Sequence, residues 1–129
     1  DPAIFLDVVD LIVTEADRAA SALYGLLCGP TGRLMQPCAV GDVPARASVP
    51  EKRRVIGALA QAIAPVPGGG LVIVVARPGR ADTIDEDREW HEATEWACRE
   101  SGVRLLGVAV ATPGRLWRLP DATEWVESA

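Results

Sequence analysis

The chain has 129 residues, a formal net charge of -5, 49% hydrophobic and 24% charged residues, which is the balance of an ordinary globular protein rather than a disordered or fibrous one. A chain of this length suits one domain and hides roughly two-thirds of its unfolded surface. Lys52 is the sole lysine, so the clustered Lys and Arg that phosphate contacts need are missing and nucleic acid is an unlikely partner on charge grounds.

No apolar stretch approaches the roughly 20 residues that span a bilayer, and the N-terminus lacks a basic region followed by an apolar block. A soluble, cytoplasmic protein with no membrane partner is expected. The sequence starts at Asp1 and not Met, which leaves a preceding segment open. Cys28, Cys38 and Cys98 are odd in number and widely spaced, so neither a disulfide framework nor a structural zinc site is expected, and each reads as a small buried hydrophobe.

In chain order, residues 4 to 20 carry Ile4, Leu6, Val8, Val9, Leu11, Ile12, Ala16, Ala19 and Ala20 among Asp7, Asp10, Glu15 and Asp17, a pattern that predicts one amphipathic helix. Ala22 to Cys28 reads as a buried strand, Gly29-Pro30-Thr31-Gly32 as a turn, and Arg33 to Val40 as the returning strand of a hairpin. Ser48-Val49-Pro50-Glu51 has capping-box spacing, and Val55, Ile56, Leu59, Ala62 and Ile63 follow at helical intervals. Pro65 to Gly70 stops that helix, and because the glycine run precedes a strand it is no phosphate loop.

Leu71 to Ala76 is apolar without alternation, which suits a central strand covered on both faces. After a loop from Arg77 to Ile84, Asp85-Glu86-Asp87 marks a helix N-terminus, and Ser101-Gly102 ends that helix. Val103 to Ala111 reads as a second buried strand, Arg115 to Leu119 as a short edge strand, and residues 120–129 as a tail, either a final helical turn or disordered. The fold class is therefore α/β, with a single mixed β-sheet flanked by helices. One domain, 1–129, divides into an N-terminal helix (1–20), a core (21–119) and the tail (120–129).

Ile84, Asp87, His91, Thr94 and Cys98 fall at steps of three and four and form one stripe of the acidic helix. Asp87 and His91 thus lean toward the sheet, and a carboxylate there needs a cationic partner, for which Arg77 at the strand end is nearest. His91, the only histidine, has the chemistry of an Asp-oriented general base, though no nucleophile is placed opposite it. Asp82, Asp85, Asp87 and His91 lack the glycine and terminal Glu of a calcium loop. Among four Trp beside one Phe and one Tyr, Trp96 is flanked on the helix by Glu89, Glu92 and Glu100, and is the candidate for an exposed interface anchor.

Taken together, Gly32-Arg33-Leu34, Val49-Pro50-Glu51, Val75-Ala76-Arg77-Pro78, Asp87, Ala97 and Gly102-Val103-Arg104-Leu105-Leu106 resemble the JAB/MPN metallopeptidase-like fold, most closely its RadC-like bacterial branch. The resemblance spans roughly residues 20 to 112 and implies a cytidine-deaminase-like layering of helices on the sheet. The family's core is a hairpin, a helix, a strand ending in His-x-His-Pro, a loop with a Ser and a ligand Asp, a helix ending in Gly, and a strand. In that family two His, an Asp and a water hold zinc, with a Glu as base. Here the two His positions fall on Val75 and Arg77, the Ser position near Ile84, and no Glu lies in Ala20 to Cys28; only Asp87 matches.

One ligand will not hold zinc, and a protonated guanidinium will not bind it. The resemblance thus implies a catalytically inactive domain without cofactor, acting through a protein partner, self-association or a small ligand, with Arg77, Asp87, His91 and Trp96 as the candidate binding residues and Arg77 meeting Asp87 where the metal would lie. The alternative, from another class, is a hydrolase with a metal-independent or altered-metal site built on Asp87 and His91.

Overall fold

The apolar run without alternation at Leu71 to Ala76 becomes the middle strand of a five-stranded sheet, and the second buried strand lies beside it. The computed structural model describes residues 2–40 and 47–120, with side chains from residue 6 onward; of the tail expected over 120–129, residues 121–129 lie outside the described residues. Elements follow as α1 (Pro2–Ile12), α2 (Glu15–Ala20), β1 (Ala22–Cys28), β2 (Leu34–Val40), α3 (Val49–Ile63), β3 (Gly70–Ala76), α4 (Asp85–Ser101), β4 (Arg104–Thr112) and β5 (Arg115–Arg118). The sheet order is β2-β1-β3-β4-β5. Only β3 and β4 run parallel, which makes the sheet mixed.

Alternation along the strands sorts the core into two layers. Leu23, Leu27, Leu71, Ile73, Val75, Val108 and Val110 face α3 and α4, and pack on Ile56, Leu59, Ala60, Ile63, Trp90, Ala93, Ala97 and Cys98. Tyr24, Leu26, Cys28, Val72, Val74, Ala76 and Ala111 face the other way, onto Val9 and Val13. The α/β class with one mixed sheet and flanking helices is what the sequence implied. Helix α3 lies so close over β1 that a Cβ on Gly25 would sit 2.9 Å from Leu59 Cδ1, which is why that strand position carries no side chain.

The Ser48 cap forms as its spacing implied, with Glu51 N–H donating to Ser48 Oγ (3.2 Å) and Ser48 N–H to Glu51 Oε1 (3.0 Å). At the other end of the reading, Gly102 caps α4 in the left-handed region, at φ 67°, where a side chain would be strained. Among the described residues no helix is long and apolar enough to cross a membrane.

One element differs from the sequence reading. The helix expected over residues 4 to 20 is two helices, because Thr14 takes an extended backbone and its side chain accepts the Asp17 N–H at 3.1 Å, starting α2 anew. The apolar spacing of α1 continues through Ala16, Ala19 and Ala20, so periodicity runs through the break, yet those alanines are exposed and α2 buries Arg18 instead. The Thr14-x-x-Asp17 spacing was the available signal. The turn lets Arg18, 3% exposed, pair with Asp10 at 2.8 Å and donate to the Thr112 carbonyl at 3.4 Å, tying α1 and α2 to the end of β4.

All three cysteines are free, with Cys28 and Cys98 buried and Cys38 half-buried. Burial raises the Cys28 thiol and pushes Cys98 up to about 11 from an ordinary 9.0; burial and the hydrogen bond to Asp17 raise Tyr24 as well. The folded chain therefore holds protons that the unfolded chain releases from pH 9.0 upward, so this part of the stability is complete below pH 9.0 and is lost as pH climbs to about 11. Urea melts should show a midpoint that is steady approaching pH 9.0 from below and falls above it. Thiol labelling should find Cys38 first, with Cys28 and Cys98 reacting only on opening.

Candidate functional site

Arg77 is the residue after β3, and its backbone N–H donates to the Ala111 carbonyl at 2.9 Å, which prolongs the β3–β4 pairing by one step. Strand alternation then directs its side chain to the same face as Ile73 and Val75, the face covered by α4. Here the guanidinium meets Asp87 side-on: Nε donates to Oδ1 at 2.9 Å and Nη2 to Oδ2 at 2.7 Å. Asp87 has no exposure and the Arg77 side chain 10%, so this is a bidentate ion pair out of water, the strong form of such a contact.

The rest of the guanidinium organises the loop. Nη2 also donates to the Asp82 carbonyl at 2.8 Å, and Nη1 to the carbonyls of Arg80 at 2.8 Å and Pro78 at 3.2 Å. A guanidinium has five N–H groups, and these five bonds use all of them. For residues 78–82 to curl round one side chain, Gly79 takes φ 97°, a region that favours glycine. Trp117 of β5 lies with its ring centre 5.8 Å from the Arg77 guanidinium and 4.7 Å from that of Arg115. Its Nε1–H donates to Thr83 Oγ1 at 3.0 Å, so the loop's outer end is held too.

Asp87 has a second task. The N-cap of α4 is Ile84, whose side chain accepts nothing, and Asp87 Oδ2 reaches back to its N–H at 3.0 Å. This is the returning half of a capping box without the usual Ser or Thr.

Beside this pair lies a residue the sequence reading passed over. Lys52 is fully buried between α3 and α4, with Nζ 2.8 Å from Glu86 Oε1, 2.9 Å from Glu89 Oε1 and 5.5 Å from the Trp90 ring centre. Burial by itself would lower its pKa; the hydrogen bonds from its ammonium to Glu86 and Glu89 outweigh that and leave it raised. The signal existed in the spacing, because Ile56, Leu59, Ala60 and Ile63 continue back by one turn to position 52, on the buried stripe.

The other candidates fall as follows. His91 is 1% exposed, on the inward side of α4. Trp96, expected to be the exposed ring, is half-buried instead: it packs against the α3–α4 core, and the Arg53 guanidinium lies 4.7 Å from its ring centre. Asp82 and Asp85 are exposed and pair with Arg80 and Arg88 at 3.1 Å and 2.9 Å. Among the described residues no three His, Cys, Asp or Glu side chains converge as a metal site. Of the four residues expected to bind, Arg77 and Asp87 are brought together, but their polar atoms are spent on each other and on the loop.

Comparison with models of known protein families and with curated proteins finds no match to the chain.

Removing one member of a buried pair leaves an uncompensated charge, so Asp87→Ala should lower stability by about 3 kcal/mol or more in chemical denaturation. Arg77→Lys should also be costly, since an ammonium cannot make the two-pronged contact or span three carbonyls. The double change Arg77→Met/Asp87→Leu should cost less than the two single truncations added together; simple additivity would mean that the two charges are not coupled. Lys52→Met should strand Glu86 and Glu89 beside each other without their cation and lower stability in chemical denaturation.

Proposed function

We propose that the chain is a JAB/MPN-like domain of the RadC-like kind in which an arginine has taken the place of the metal, and that it works as a non-hydrolytic interaction module. The observation that carries this is the Arg77 guanidinium, paired with Asp87 in two prongs at the strand end where the second zinc histidine of the family would fall. A fixed positive charge would meet the need of such a scaffold, an acid on α4 facing a cation at the end of the central strand, with no ion to acquire.

The order of elements supports the same conclusion. Hairpin β1–β2, helix α3, strand β3, the 77–84 loop, helix α4, Gly102 and strand β4 follow one another as the family's core does. The residues present do not suit zinc: Val75 offers no donor atom, Arg77 is always protonated, and both Asp87 oxygens already accept hydrogen bonds. A protein partner fits the role of such a domain better than a small substrate, because the polar groups that would orient a substrate are committed inside the fold.

Protein prepared without a polyhistidine tag should hold no stoichiometric zinc and leave peptide and isopeptide substrates uncut; one tightly held equivalent of zinc ends this proposal. Conversely, Val75→His/Arg77→His rebuilds the family's ligand set opposite Asp87, and should gain a zinc-dependent rise in melting temperature. A folded double variant indifferent to zinc would show that the strand end does not correspond to the family's.

A further inference from the structure

We propose that Lys52 is an acylation site gated by the fold: activated acyl donors reach its amine only when α3 and α4 separate, and the acylated side chain then keeps the two helices apart. The proposal does not depend on the interaction-module reading above. Lys52 is the sole lysine of the chain, so its placement decides all of the chain's lysine chemistry.

A surface lysine reacts because its ammonium can lose a proton to water and the free amine can then meet a donor. Lys52 is denied both steps. It is buried completely, with Nζ 2.8 Å from Glu86 Oε1 and 2.9 Å from Glu89 Oε1. Those glutamate side chains are 23% and 42% exposed while the lysine is not, so the carboxylates cover its tip on the solvent side. Burial alone would favour the neutral amine, but the two carboxylates outweigh it and hold the proton on. Trp90, whose ring centre is 5.5 Å from Nζ, belongs with Ile56, Leu59 and Ala93 to the core between the two helices and the sheet. Uncovering the amine therefore means parting α3 from α4, not turning a surface rotamer.

The trap follows from what acylation removes. The free amine attacks the acyl carbon, the C–N bond forms as the leaving group departs with its electron pair, and the proton on nitrogen goes to solvent. Three N–H donors and a positive charge become one N–H and no charge. Glu86 and Glu89 would then close on each other without a cation, around a side chain enlarged at a fully buried position. Electrostatics and volume both oppose closure, so acylation marks chains that have opened and retains them in that state.

Pulse labelling of the whole chain with the N-hydroxysuccinimide ester of acetic acid, across a guanidinium chloride series at fixed pH, tests both halves, with Lys52 read by peptide mass spectrometry. Without denaturant Lys52 should react about a thousandfold or more slower than in the unfolded chain, and its labelling should rise as the circular dichroism of the fold is lost. Once denaturant is removed, size exclusion should find Lys52-acetylated chains depleted from the compact fraction. Lys52→Arg keeps the charge and has no amine to acetylate, so it should pass through the same treatment and refold. If that variant does not fold, the sorting of acetylated from unacetylated wild-type chains within one sample decides. Slowing of less than about tenfold in the native protein overturns the gate, and acetylated chains that return to the compact fraction in undiminished proportion overturn the trap.

Discussion

Asp87 is a carboxylate with no access to water, and the cation that makes its charge tolerable is Arg77, held to it by two hydrogen bonds of 2.9 and 2.7 Å. The loop between β3 and α4 depends on this contact: three of its carbonyls turn inward to the guanidinium, Gly79 takes a backbone that permits the turn, and Trp117 covers the outside. The start of α4 depends on it from the other direction, since the same Asp87 carboxylate takes the Ile84 N–H that a Ser or Thr would ordinarily satisfy. A loop of irregular backbone is thus ordered around a side chain in the way that metal loops are ordered around an ion, with five N–H donors in place of coordination bonds.

The first turn of α4 gathers Asp85, Glu86 and Asp87. The helix macrodipole favours acids there, but two of the three are drawn to buried cations: Asp87 to Arg77 from the strand side and Glu86 to Lys52 from α3. The helix entry is therefore fixed against both of its neighbours. This arrangement explains why a helix so rich in acid packs closely on a central strand of Val and Ile. The charges at its start are neutralised locally, while Trp90, Ala93 and Ala97 supply the apolar contact further along.

Much of the fold was legible because the local signals agreed. The unbroken apolar run at Leu71, the largely apolar run from Leu105, the turn at Gly29 to Gly32, the Ser48 cap and the Gly102 stop each have a mechanism that acts within a few residues. Thr14 is hidden in the sequence because the apolar spacing of α1 and α2 continues smoothly past it and masks the cap. Lys52 was overlooked for the opposite reason: a charged residue at the start of a helix reads as solvated, although its stripe was apolar from Ile56 onward. Trp96 is less exposed than its acidic neighbours on α4 imply because Arg53 reaches it from a different helix.

By itself the sequence determined the α/β class, the order of its elements and the need of Asp87 for a cationic partner, since a buried acid at helical spacing imposes that need wherever the chain goes. The spacing also named Arg77 as that partner, because both lie within one strand–loop–helix unit. Only the tertiary structure decided that the guanidinium would be saturated, since three of its acceptors are backbone carbonyls whose direction no residue type encodes. It alone decided that α3 would deliver Lys52 to Glu86 and Glu89, 34 and 37 residues away in sequence, and that β2 would be left at an open edge. Those outcomes depend on which elements become neighbours, and that is settled by burial of the whole core rather than by any one segment.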